Sequence, residues 1–192
     1  MEDTNIEEIK SIPIQGQNNR YQIRKCMKER KEATRKKNAI EIIPFEKQIV
    51  ILEDIYYELY PSYKKRLNND SLPFTEEERH RLSKEIENKR GNYKQQDILK
   101  KRWDETLFID YQCIVNLLYK AQLLCFYCQQ QILIYYDFVR EMKQWTLDRI
   151  DNNLGHNQGN VVIACLDCNL KKRKQNIENF VFTKQLQIVK ND

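Results

Sequence analysis

The chain has 192 residues, 41% hydrophobic and 32% charged, and thirty-three Lys and Arg against twenty-eight Asp and Glu give a formal net charge of +5. Seven Phe, eleven Tyr and two Trp exclude wholesale disorder, while four Gly and four Pro exclude collagen-like and turn-dense all-β designs and favour helix. No run approaches the roughly eighteen apolar residues of a membrane-spanning helix. The opening MEDTNIEEIK is acidic and lacks an apolar core, so no secretory signal is expected there. A soluble, intracellular, helix-rich protein is the expectation, with room for one ordinary domain and an appendage, or for two small domains.

Residues 1–19 are polar and unpatterned. From Arg20 to Lys37 there are nine basic residues, opposed only by Glu29 and Glu32. Such a run reads equally as a solvated helix and as a nucleic-acid contact. After Pro44, the run FEKQIVILEDIYYELY carries apolar residues at helical spacing and ends at Pro61. Thr75 followed by Glu78 is a capping-box helix start. The segment 75–90 is charged nearly all round and should project into solvent, with His80 on its surface. Gly91 is expected to end it. A further helix starts near Tyr93 and runs, with a break near Asp110, to Leu124. From Cys125 the texture turns to short β-type runs, QQQILIYY, QWTLDRI and NVVIAC, and a basic helix begins at Cys168. The fold class is therefore α+β, with a basic arm over 1–44, a helical region over 45–115 and a C-terminal domain over 116–192.

Four of the six cysteines form two C-x-x-C pairs, Cys125 with Cys128 and Cys165 with Cys168, separated by thirty-six residues. Two intervening residues let both sulfurs of a tight turn reach one tetrahedral ion at about 2.3 Å. Two such turns complete four ligands and leave no open position, which is the arrangement of a structural Zn²⁺ site. Nothing in the chain directs it to an oxidising compartment, so disulfides are the weaker reading. Cys26 and Cys113 fall outside the pattern, and Cys113, among Ile114, Leu117 and Leu118, reads as a buried apolar thiol.

Residues 145–172 read as a β-hairpin with a long Asn- and Gly-rich loop, followed by a helix opened by the second cysteine pair. That order brings Asp148, on the first strand, towards Asn169, on the helix. A carboxylate and an amide oxygen facing one another suit a hard divalent ion that keeps several waters. The plainer alternatives are a surface salt bridge for Asp148 and a helix cap for Asn169. Lys171, Lys172, Arg173 and Lys174 read either as a solvated face or as phosphate contacts, and their place beside the cleft favours nucleic-acid binding. Trp145 reads as core.

The motifs LDRIDN, G-H-x-x-G-N-V and C-x-x-C-N-x-x-K, in that order, resemble the HNH endonucleases of the ββα-metal (His-Me finger) class, over about residues 120–183. The resemblance implies a zinc-stapled ββα domain that hydrolyses phosphodiester bonds, with DNA as the substrate. It also implies a catalytic Mg²⁺ or Mn²⁺ held by Asp148 and Asn169, structural zinc on Cys125, Cys128, Cys165 and Cys168, and a loop braced by Asn160. Lys172 matches the family's helix lysine.

The chain departs from the family where the general base usually stands, directly after the metal-binding Asp, because that position is Arg149. Arginine cannot act as a base at neutral pH but can clamp a scissile phosphate. By elimination the base is His156, the only histidine in reach; a metal-bound hydroxide working without a protein base is the rival. The alternative function is a non-catalytic nucleic-acid-binding or assembly module derived from such a nuclease. A third reading is a structural subunit of a larger complex with residues 1–110 as docking helices, and a homodimer or larger complex through the N-terminal helices is compatible with each reading.

Overall fold

A computed structural model describes residues 42–62 and 72–186. The 1–19 tail, the basic run Arg20–Lys37 and Cys26 lie outside the described residues. Every described residue falls within one compact unit.

Helix α1 (Phe45–Leu59) begins directly after Pro44 and stops two residues before Pro61. Its inward face carries Ile51, Leu52 and Ile55, and also Gln48, which is fully buried. The Gln48 amide donates to the carbonyls of Ile43 (2.8 Å) and Tyr135 (3.0 Å). Its oxygen accepts the backbone N–H groups of Ile134 (2.8 Å) and Tyr135 (2.9 Å). A side chain thus does for residues 134–135 what a neighbouring strand would do.

This explains why the predicted strand QQQILIYY is absent. Leu133 donates to the Lys143 carbonyl and accepts from Trp145, while Gln48 takes the next backbone groups. The segment meets its obligatory hydrogen bonds through isolated bridges rather than a ladder.

Helix α2 (Glu76–Leu99) opens with the expected box: Glu78 N–H donates to Thr75 Oγ1 (3.2 Å), and Thr75 N–H to Glu78 Oε2 (2.8 Å). Two expectations fail here. The helix continues through Gly91, and it does not simply project into solvent. Leu82, Ile86, Tyr93 and Asp97 form one narrow buried row along it. Anchors on both sides of Gly91 outweigh the ~1 kcal/mol that a mid-helix glycine costs. Arg79 reaches Asp54 on α1 (3.0 Å), and Lys47 reaches Glu78 (2.7 Å). His80 is exposed.

Helix α3 (Tyr111–Lys120) is capped by Asp110, whose Oδ1 accepts the Cys113 N–H (2.6 Å). Cys113 itself is half-buried, not buried. Strands β1 (Trp145–Arg149) and β2 (Val161–Cys165) pair antiparallel, with Trp145 opposite Cys165 and Asp148 opposite Val162. The helix after β2 starts earlier than expected: α4 spans Leu166–Lys172 with Cys165 as its N-cap. Helix α5 (Ile177–Gln185) follows, its first N–H groups capped by Asn176.

The architecture is α+β: five helices and a two-stranded sheet among the described residues. One hydrophobic cluster runs from Ile43 through Ile51, Leu82, Ile114, Leu118 and Trp145 to Phe180. The boundary drawn at 115/116 lies inside α3, whose Ile114, Val115 and Leu118 belong to that shared core. No helix among the described residues is long and apolar enough to cross a membrane.

Candidate functional site

The four cysteines come together. Cys125 and Cys128 sit in the turn after α3, Cys165 ends β2, and Cys168 lies in the first turn of α4. Their sulfurs all lie within 4.8 Å of one another, with Cys128 and Cys165 at 3.9 Å. A tetrahedral ion with ~2.3 Å bonds sets its sulfurs about 3.8 Å apart, so a small contraction closes the cage. Two backbone donors already face the sulfurs: Cys165 N–H to Cys125 Sγ and Cys168 N–H to Cys165 Sγ, both 3.3 Å.

The electrostatics of the cluster favour a cation. A hydrogen bond with Cys165 pushes the Cys125 thiol down to about 5. The same bond pushes the Cys165 thiol up, and burial together with the Cys125 charge pushes up Cys168. Four thiols this close cannot all ionise on their own charge, and a divalent cation removes that repulsion. The cluster can hold a metal such as zinc.

Asp148 is buried, 5% exposed. Its Oδ2 accepts the Tyr127 hydroxyl (2.5 Å) and pairs with the Lys172 ammonium (3.1 Å). Tyr127 lies between Cys125 and Cys128, so the metal cage and Asp148 share a neighbour. Asn169 donates its Nδ2 to Thr146 Oγ1 (3.1 Å). Thr146 and Asp148 lie two apart on one face of β1, while Asn169 and Lys172 lie one turn apart on α4. The strand and helix thus pair twice: Thr146 with Asn169, and Asp148 with Lys172.

By donor type these residues suit a hard divalent ion, since the contacts leave Oδ1 of Asp148 and Oδ1 of Asn169 as oxygen donors. Lys172 already balances the Asp148 charge and competes with any such ion.

Lys172 corrects an expectation. It is 0% exposed, and its ammonium is spent on Asp148 and on the Arg149 carbonyl (2.9 Å), so it cannot meet a phosphate. Lys171, Arg173 and Lys174 are exposed, and Lys171 pairs with Asp167 at 2.6 Å.

The loop between the strands is pinned by Asn160. Its Oδ1 accepts Asp151 N–H (2.9 Å), and its Nδ2 donates to the carbonyls of Asp151 (3.1 Å) and Gly155 (2.9 Å). Asp151 and Asn152 shape the loop through contacts to Asn153 N–H and the Arg173 carbonyl.

Within this loop His156 is 4% exposed. Its ring Nδ1 lies 2.9 Å from Asp97 Oδ1, and its backbone N–H donates to Asp97 Oδ2 (2.6 Å). The ring packs on Tyr93 at 4.3 Å between centroids, and the Tyr93 hydroxyl accepts Leu147 N–H (3.0 Å). Burial lowers the His156 pKa below 6.5, against the pull of Asp97 and with help from Arg149 and Lys100. The unfolded chain therefore takes up this proton more readily, and stability falls as pH drops below about 6.5. Arg149 is half-buried and donates to the Leu154 carbonyl (3.1 Å). Burial and the neighbouring Arg102 guanidinium lower its pKa.

Asp97, Tyr93, Tyr127 and Thr146 were not singled out from the sequence. The one available signal was Asp97 itself, an acidic residue on the same helical row as Leu82, Ile86 and Tyr93.

Gly155 is required by close approach. A Cβ there would lie 2.6 Å from the Arg102 carbonyl and 2.9 Å from Asp97 Oδ2. Gly155→Ala should cost about 1–3 kcal/mol, the range for forcing an extra carbon into a packed site. Urea unfolding of the two proteins checks this, and an unchanged midpoint would show that the loop has slack.

Compared with protein-family models, with curated proteins and with solved structures, the chain matches none.

Proposed function

We propose that the chain is a metal-dependent endonuclease of HNH type that hydrolyses phosphodiester bonds in DNA. The observation that carries this reading is His156. It is a histidine fixed on the loop between the strands, electrostatically coupled to Arg149, with a pKa lowered so that the ring is neutral at pH 7.

In the proposed reaction a water oxygen attacks phosphorus while its proton passes to His156. The bond to the 3′ oxygen breaks, and that oxygen takes a proton from solvent. Arg149 clamps the phosphate and its developing charge. Asn160 keeps the loop in register. Asp148 and Asn169 would hold Mg²⁺ or Mn²⁺, which would supply positive charge to the phosphoryl group. Zinc bound by all four cysteines would have no open position and would serve the fold alone. Lys171, Arg173 and Lys174 supply exposed positive charge for the nucleic-acid backbone.

A specific observation favours a second reading. The buried Asp148–Lys172 pair is what a non-catalytic module would retain after losing its metal, because an internal cation then satisfies the carboxylate.

Nicking of supercoiled plasmid by zinc-loaded protein in Mg²⁺ or Mn²⁺ separates the two. The nuclease reading expects nicking that Asp148→Ala abolishes. It also expects His156→Gln to slow nicking by about 10²-fold or more, with zinc content and DNA binding intact, as for loss of a general base. Tight DNA binding with no nicking under any divalent ion would establish the module instead.

A further inference from the structure

We propose that Asp97, on α2, is the positioning residue of His156: it fixes the proton on Nδ1 and so presents Nε2 as the basic nitrogen. This rests on the reading of His156 as the base, and it places part of the catalytic machinery outside the zinc-stapled hairpin.

Asp97 is 0% exposed, and both its oxygens are committed to one residue. Oδ2 takes the His156 backbone N–H at 2.6 Å, and Oδ1 meets ring Nδ1 at 2.9 Å. A carboxylate only accepts, so Nδ1 carries the hydrogen and the lone pair sits on Nε2. The two contacts fix the backbone and the ring of His156 together, which removes the rotamer freedom of a loop histidine.

Tyr93, one turn earlier on α2, closes the ring's other side at 4.3 Å, and its hydroxyl is tied to β1 through Leu147 N–H. Gly155 makes the approach of α2 to the loop sterically feasible. The charged and titratable groups acting on the ring are therefore Asp97, Tyr93 and Lys100 from α2 and its end, and Arg149 from β1. Both cations oppose protonation of the ring and Asp97 favours it.

The decisive substitution is Asp97→Asn, which keeps size and shape. Asparagine has one oxygen. If that oxygen serves the His156 backbone N–H, the amide NH₂ faces Nδ1, and the hydrogen must move to Nε2. The basic nitrogen is then turned inward.

Imidazole ¹⁵N NMR of the full, zinc-loaded chain reads this directly, because the chain has two histidines and exposed His80 is an internal reference. The wild type should show His156 with hydrogen on Nδ1. Asp97→Asn should move it to Nε2 and lower kcat for plasmid nicking by about 10²-fold or more, the scale expected for a wrong tautomer. KM and zinc content should hold. In the His156→Gln background the same change should have little further effect. Hydrogen on Nε2 in the wild type overturns the proposal without any variant. So does Asp97→Asn that keeps wild-type kcat. A wild type that shows the tautomer and its flip but nicks nothing overturns the nuclease reading, and with it the catalytic half of this proposal.

Discussion

Replacing Cys165 by serine should release one zinc per chain and unfold much more than the hairpin. Binding energy at a four-thiolate zinc is folding energy, on the order of 10 kcal/mol or more, which is comparable to the whole stability of a typical domain. Cys165 also ends β2 and caps α4, a cap that serine can keep through its hydroxyl, so the substitution removes the ligand while sparing the cap. Because Trp145, Cys125 and Cys165 share one cluster with Ile51, Leu82 and Ile114, the loss should reach α1, α2 and α3. Metal analysis together with hydrogen exchange checks both parts. Protein that carries no zinc, has its thiols oxidised in pairs and melts as before would reject the metal site. Protection lost only over residues 120–190 would mean that the helices hold without it.

The second large effect concerns Lys172. Lys172→Met should destabilise the chain by about 3–5 kcal/mol, because it strands a buried carboxylate with only the Tyr127 hydroxyl for company. The double variant Asp148→Asn with Lys172→Met should recover most of that loss, since replacing a whole buried pair is often close to neutral. Urea unfolding at saturating zinc measures both. A single variant within about 1 kcal/mol of the parent would mean that the ammonium reaches solvent in solution. Mn²⁺ should stabilise Lys172→Met more than the parent if Asp148 is a metal ligand, since the substitution removes the competing cation.

Local signals were the legible ones. Pro44 and Pro61 bracket α1, Thr75 and Glu78 open α2, Asp110 caps α3, and the two C-x-x-C pairs converge. Each rests on residues within a few positions of one another, or on a ligand geometry that leaves little choice.

What stayed hidden depends on partners far along the chain. Gly91 reads as a stop until Tyr93 and Asp97 are seen to be buried beyond it. QQQILIYY has strand composition, but its acceptor is one glutamine side chain. Lys172 sits in a run that looks uniformly solvated. The helical period sets it four residues after buried Cys168 and turns it inward, while Lys171, Arg173 and Lys174 face out. Asp97 could not have been assigned to His156, because the two are 59 residues apart and no local pattern joins them.

The Gln48 clasp bears on the order in which the protein is made. Three of the hydrogen bonds of this buried amide go to residues 86 and 87 positions downstream. At a synthesis rate of about 5–20 residues per second, its partners leave the ribosome on the order of 4–17 s after it. During that interval α1 can pack on α2 and α3, but the first turn of its inward face carries an amide whose partners at residues 134–135 have not yet been made. The helices α1 to α3 are therefore an incomplete platform for the later segments. They wait for residues 134–135, and the cage waits longer still, until Cys168 has emerged. A nascent chain stalled before that point carries thiols without a complete ligand set and a core without its floor, which is the state a holdase chaperone or a protease would meet first.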